Sequence, residues 1–143
     1  MSDVNWVKVI VTVLTLGVLL LVACSVPAEP QPGSVVTGRA VVESIDLLML
    51  ESFPVQVHLV ARGYLPDSCT RIARIDQTFD QASRTFRVVI STTRPADAIC
   101  TQVLGSFEET IALEVEGLPA GTYTVDVNGV IGSFTLDVDN SLP

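Results

Sequence analysis

The sequence predicts an all-β domain, a two-sheet sandwich of seven short strands filling roughly the last hundred residues. Three observations predict it. Beyond Cys24 the apolar residues recur with period two and not 3.6, the period of a half-buried strand. No eleven-residue window there carries a convincing amphipathic helix. Asn128-Gly129, set between two alternating runs, is the strongest two-residue hairpin signal in the chain.

The strands are expected in this order. The first runs from Thr37 to Leu50, with a bend near Asp46. The second starts at Pro54, with Val55, Val57, Leu59 and Ala61 on one face and Gln56, His58, Val60 and Arg62 on the other. The third covers Arg71 to Phe79, and Asp80-Gln81-Ala82-Ser83 is a turn. The fourth, Thr85 to Thr92, points Phe86, Val88 and Ile90 inward. The fifth, Thr110 to Glu116, does the same with Ile111, Leu113 and Val115. The sixth, Thr122 to Val127, buries Tyr123, Val125 and Val127. The seventh, Val130 to Val138, buries Phe134, Leu136 and Val138. A single helical turn has its best place between Ala96 and Thr101.

The start of the chain is of another kind. Val9 to Ala23 is an unbroken apolar run of fifteen residues. A helix crossing the hydrocarbon needs roughly 20, so the run has the length of a signal-peptide core. Lys8 precedes it, offset by Asp3. It ends in Leu21-Val22-Ala23-Cys24, which resembles the lipobox of bacterial lipoproteins. The resemblance implies cleavage before Cys24, a lipid on its thiol, and an exported domain held on the extracytoplasmic side of a cell membrane or outer envelope. Ser25 stands where some bacteria place an Asp as an inner-membrane retention signal. An uncleaved N-terminal membrane helix is the alternative. Ser25 to Gly33, SVPAEPQPG, has three Pro and a Gly, which disfavour helix and ladder pairing alike. The expected organisation is signal peptide 1–23, lipidated Cys and Pro-rich tether 24–37, and sandwich domain 38–143.

Leu118-Pro119-Ala120-Gly121-Thr122-Tyr123 resembles the tyrosine corner of Greek-key sandwiches, in which a Tyr hydroxyl bonds back to the backbone. Leu118 to Leu136 resembles the closing hairpin of bacterial immunoglobulin-like modules. These likenesses imply a seven-stranded immunoglobulin-like Greek-key sandwich, with Tyr123, Asn128 and Gly129 in structural roles. GYLPDSCTRI, RPADAICTQ and GLPAGTYTV together resemble uncharacterised exported lipoproteins.

Charge excludes several function classes. Net charge is -8, from 8 basic and 16 acidic residues. Nucleic acid is not an expected partner, because phosphate binding needs clustered Lys and Arg. An anionic membrane surface is no electrostatic partner either. The only Lys is Lys8, so no lysine nucleophile or Schiff base follows Cys24. Ser25 to Arg94 is neutral, whereas Pro95 to Pro143 has eight acids and no base. That stretch is a solvated acidic face or a surface for a cation or basic partner.

Once Cys24 is spent on lipid, Cys69 and Cys100 remain. In an exported domain a disulfide is their simplest fate. Free thiols or a metal site are the alternatives, though two Cys and one distant His make no recognised ligand spacing. If the strands alternate up and down, both cysteines fall in connections at one pole, and the chain enters at that pole. The longest loops, Gly63 to Thr70 and Arg94 to Glu109, lie there too. Tyr64, Leu65, Pro66, Asp67, Arg94 and Pro95 are the candidate binding surface; otherwise the bridge merely staples two long loops.

No catalytic constellation stands out, and no cofactor is implied. His58, the single His, is expected to face outward. No Ser-His-Asp triad, phosphate loop, dinucleotide fingerprint or zinc pair can be assembled. Asp137-Val138-Asp139-Asn140 offers oxygen ligands of the kind calcium takes, or is a solvated strand end. The expected function is therefore a non-catalytic, lipid-anchored cell-envelope module for adhesion, scaffolding or recognition of a protein or envelope partner. The alternatives are an inhibitor or accessory subunit of a secreted enzyme, working through the loops around Cys69 and Cys100, and an enzyme.

Overall fold

The computed structural model describes residues 33–142; Cys24, the apolar run and most of the Pro-rich segment lie outside them. Eight strands form: β1 Val35–Arg39, β2 Val41–Leu50, β3 Gln56–Leu65, β4 Arg71–Asp80, β5 Thr85–Pro95, β6 Gly105–Leu113, β7 Gly121–Val127 and β8 Val130–Leu136. They make two sheets. One holds β1, β4, β5, β7 and β8, and the other has the order β2-β3-β6. Every pairing is antiparallel except β5 with β7.

β5 organises the larger sheet. β4 pairs along one of its edges from Arg71 to Asp80. The other edge is shared end to end: β7 takes Thr85 to Val88 and β1 takes Ser91 to Pro95. The inward residues of alternating strands meet between the layers. Val57, Leu59 and Ala61 of β3 face Phe86, Val88 and Ile90 of β5, with Tyr123, Val125 and Val127 of β7 and Phe134 and Leu136 of β8. Each large side chain so buried contributes about 1.5–3 kcal/mol. Phe79, Phe86, Tyr123 and Phe134 form an aromatic cluster with ring centroids 4.6 to 6.3 Å apart.

Among the described residues there are eight strands where seven were expected. The expected first strand is cut at Ala40, not near Asp46. β1 pairs with β5 in one sheet and β2 with β3 in the other, so the chain crosses between layers at one residue. Ala40 is buried at the crossing, and its N–H donates to the Ile90 carbonyl at 3.0 Å. Asp46 stays in register opposite Val60. Apolar alternation cannot reveal such a crossing, because the change is in the partner and not in the side-chain period. β1 also begins at Val35, inside the segment read as tether.

Other boundaries move for similar reasons. β6 begins at Gly105 rather than Thr110, because pairing with β3 continues up to Leu65 opposite Gly105. It ends at Leu113, though Val115 beyond it is buried as expected. β8 stops at Leu136, which leaves Val138 exposed rather than inward. Ala96 to Thr101 has bends and no helical turn.

Two asparagines satisfy backbone groups that the strand pairing leaves open. Asn128 opens the β7–β8 turn with φ 49°, followed by Gly129 at φ 99°, as a hairpin turn with two left-handed residues requires. Its side chain fills the gap on β5 between β7 and β1. The Ile90 N–H donates to its Oδ1 at 3.1 Å, and its Nδ2 donates to the carbonyls of Ala40 and Ile90 at 2.9 and 3.0 Å. At the pole where β8 ends, buried Asn140 accepts from the Val55 N–H at 2.6 Å and donates to the carbonyls of Val55 and Val115. Tyr123, 1% exposed, donates its hydroxyl to the Pro119 carbonyl at 2.6 Å, the bond that a tyrosine corner makes.

Candidate functional site

The pole at which β1 begins is built by two connections. The β3–β4 connection, residues 66–70, carries Cys69, and the β5–β6 connection, residues 96–104, carries Cys100. The two cysteines form a disulfide, with Cα atoms 5.7 Å apart. Ser68 and Thr101 pair beside it. The Ser68 N–H donates to the Thr101 carbonyl, and the Thr101 N–H donates to Ser68 Oγ, both at 3.1 Å. The Ala96 N–H donates to the Ser34 carbonyl at 2.9 Å, so the chain enters the domain at this same pole.

Asp67 holds the first connection in shape. It is 4% exposed, and its Oδ1 accepts from the N–H groups of Cys69 and Thr70 and from the Thr70 hydroxyl, at 2.8 to 3.0 Å. Its Oδ2 accepts from Arg94 Nη1 at 3.0 Å. The Thr70 hydroxyl, then the backbone donors and the Arg94 charge, hold its carboxyl below the usual carboxylate range against the opposing effect of burial. A short polar side chain bonding its own backbone two and three residues on is a local turn device.

The six loop residues proposed as a binding surface therefore divide. Pro66 and Pro95 are exposed. Tyr64 and Leu65 are half-buried at the end of β3, and Leu65 packs against the core. Asp67 and Arg94 are spent on each other, so they order the loops rather than present a free surface. Asp67, Cys69 and Cys100 also bring three potential ligand atoms within 4.8 Å. The two sulfurs are bonded to one another, so the group offers no thiolate.

Elsewhere two of the polar groups singled out by sequence, Asp139 and Asn140, also have structural partners. Asn140 is held by Val55 and Val115, and Asp139 accepts from the Ala120 N–H at 2.8 Å, so the Asp137–Asn140 run does not present a free set of oxygens. His58 is half-buried on the outer face of the smaller sheet, in register with Leu48 and Ala112. It lines an open hollow of about 500 Å³ together with Pro54, Glu114 and Glu116. On the same face Arg62 bridges Asp46 of β2 and Glu108 of β6.

This two-sheet architecture agrees with what the chain is similar to. Residues 59–136 match the model of the ORF11 beta-sandwich domain. The chain belongs to that family. The matched span of this ORF11 beta-sandwich domain runs from β3 through β8 and contains the disulfide, the Asp67 turn and both hairpins of the larger sheet. An uncharacterised 10.2 kDa protein in the HgiCIIM 5′ region of Herpetosiphon aurantiacus is 36% identical over 95 residues, which is 66% of this chain and 98% of that protein. Two further uncharacterised 10.2 kDa proteins of that organism, in the HgiBIM and HgiEIM 5′ regions, are each 35% identical over 85 residues, 59% of this chain and the whole of theirs. No solved structure matches the chain.

Three features of the domain escaped sequence reasoning. Asn128 was readable as a turn residue but not as a plug for β5, because its partners lie 38 and 88 residues away. Asn140 looked like a ligand because it follows two carboxylates. Ile99, Val103 and Leu104 are exposed on the β5–β6 connection. Their only signal was an apolar content unusual for a long loop.

Proposed function

We propose that this ORF11 beta-sandwich domain is a non-catalytic, lipid-anchored cell-envelope module that recognises a protein or envelope partner. The observation that carries this reading is polarity along the strands. The chain enters at Gly33 and Ser34 beside the disulfide-stapled loops, and the described chain ends at the other pole, beyond Leu136. A domain tethered through Cys24 would thus hold the stapled pole toward its membrane and the opposite pole away from it. That outer pole bears exposed apolar side chains, Leu48, Met49, Leu50 and Phe53. Exposed apolar residues gathered in one region favour an interaction surface. The polar side chains engaged within the domain support a framework role: Asp67, Asn128, Asn140 and the Tyr123 hydroxyl each have partners there.

The intact mass of the membrane-fraction protein tests the anchor. A mass beginning at Cys24 with added acyl chains is expected, and a full-length unacylated mass overturns it. A photo-reactive side chain at Phe53 tests recognition on intact cells. It is expected to form a defined adduct with one envelope component; adducts with lipid or with itself alone overturn the recognition reading. Amine-reactive cross-linkers are the wrong tool, since the described residues contain no lysine.

A further inference from the structure

The pole where β1 begins carries apolar surface that the fold does not use. Ile99 is fully exposed, and Val103 and Leu104 are 64% and 61% exposed, all on the β5–β6 connection. Val35 and Val36 are also more than half exposed, at the start of β1 opposite Pro95 and Arg94. The connection is pinned by the Cys69–Cys100 bond and the Ser68–Thr101 pair. Apolar side chains held in water by a fixed loop add nothing to folding, and such patches mark contact sites.

Charge singles out the same end. Between Gly33 and Leu142 the sequence has fourteen acids and seven arginines. At this pole Asp67 and Arg94 neutralise one another, and exposed Asp97 and Arg71 have opposite signs. The loops and strand ends of the opposite pole set Glu51, Asp80, Glu114, Glu116, Asp137 and Asp139 against Arg84 alone. One end is near neutral and apolar at its tip; the other is acidic.

Chain length says what meets the neutral end. Ser34 stands ten residues after Cys24. Ten residues span at most about 35 Å when fully extended. The ten-residue β3, which runs from the acidic pole to the stapled one, alone rises about 33 Å. A bilayer holding Cys24 is therefore reached by the stapled pole first. The acidic pole could touch it only with the tether stretched along the full rise of β3.

We infer that Ile99, Val103 and Leu104 form a membrane-contact tip, which seats in the interfacial layer of the bilayer that bears the anchor. The inference rests on the lipid-anchor reading and deepens it. The tip fixes the orientation of the sandwich. It brings the near-neutral end to the headgroups and keeps the acidic end, which anionic lipid would repel, in solution.

The test uses tryptophan position. The sequence has one Trp, Trp6. In full chains carrying Trp6→Phe, a reporter is placed by Ile99→Trp or, at the opposite pole, by Phe53→Trp. The protein purified from membranes is reconstituted into phosphatidylcholine vesicles with brominated acyl chains. Ile99→Trp is expected to show blue-shifted, quenched emission in vesicles, and Phe53→Trp neither. Equal emission at the two sites, or quenching at Phe53→Trp alone, overturns the tip. A blue shift at Ile99→Trp without vesicles that grows with protein concentration also overturns it, since a second copy then covers the surface. The triple change Ile99→Ser, Val103→Ser and Leu104→Ser is expected to keep the melting temperature and lose vesicle-dependent amide protection over residues 96–104. Unchanged protection overturns the assignment to these side chains. An acylated mass without quenching sinks the tip alone. A chain that is neither acylated nor vesicle-bound sinks the anchor reading with it.

Discussion

Asn128 is the residue whose loss should most cleanly expose how the two layers are joined. Asn128→Ala removes three hydrogen bonds. The Ile90 carbonyl keeps the Ala40 N–H as a donor, so the groups left without a partner are the Ile90 N–H and the Ala40 carbonyl. A buried group left unsatisfied costs about 1–3 kcal/mol. Water entering the vacated turn moderates this, so the pair should cost roughly 2–3 kcal/mol in all. Position 128 also sits at φ 49°, where Ala lacks the local bonding that lets Asn tolerate a left-handed backbone. That adds about 1 kcal/mol. The expected loss is therefore about 3–4 kcal/mol, or a fall in melting temperature of roughly 12–16 °C for a domain of this size. Asn128→Gly loses the same hydrogen bonds but not the backbone term, and should be milder by about 1 kcal/mol. Urea and thermal unfolding of both variants against the parent measure the difference. A melting temperature for Asn128→Ala within about 2 °C of the parent would refute the plug. Glycine as damaging as alanine would refute the backbone term.

Three further outcomes follow from single contacts. Tyr123→Phe removes the bond to the Pro119 carbonyl and nothing else from the aromatic cluster, so urea unfolding should show a loss of about 1–2 kcal/mol. Gly63→Ala places a Cβ 1.9 Å from the Val41 carbonyl oxygen, backbone that cannot turn away. It should destabilise by about 3 kcal/mol or more by the same assay, whereas Gly105→Ala, which meets nothing within 4 Å, should be nearly neutral. Asp67 has its folded pKa below its unfolded value. Its stabilising effect is complete above about pH 4 and is lost as the pH falls through the folded pKa. The urea midpoint of Asp67→Asn, followed from neutral to acid pH, should fall less steeply below pH 4 than that of the parent; equal slopes would show that other carboxylates carry the acid transition. Asp80, lowered by the Ser83 hydroxyl and the Ala82 N–H, contributes in the same direction and remains in both proteins.

The strand cores were legible because side-chain direction alternates residue by residue, a purely local property. Val57, Leu59 and Ala61, then Phe86, Val88 and Ile90, then Tyr123, Val125 and Val127 are buried as the period demands. The Asn128-Gly129 turn was legible because only a few residue types accept its backbone angles. The Cys69–Cys100 pairing needed only the strand-direction count and two remaining cysteines. The loop surface was less legible. Asp67 and Arg94 read as exposed polar loop residues, yet they neutralise each other across 27 residues of sequence.

What the sequence by itself determined was the kind of element, its inward face and the pole at which the chain enters. These follow from period, turn chemistry and counting of directions. The tertiary structure alone decided that one expected strand divides at Ala40 between two sheets, that β5 shares an edge between β1 and β7, and that Asn128 and Asn140 satisfy the backbone groups left there. The physical reason is range. A strand's alternation depends on its own residues, but its hydrogen-bond partner is chosen by a chain segment up to 88 residues away, and nothing in the local pattern names that segment.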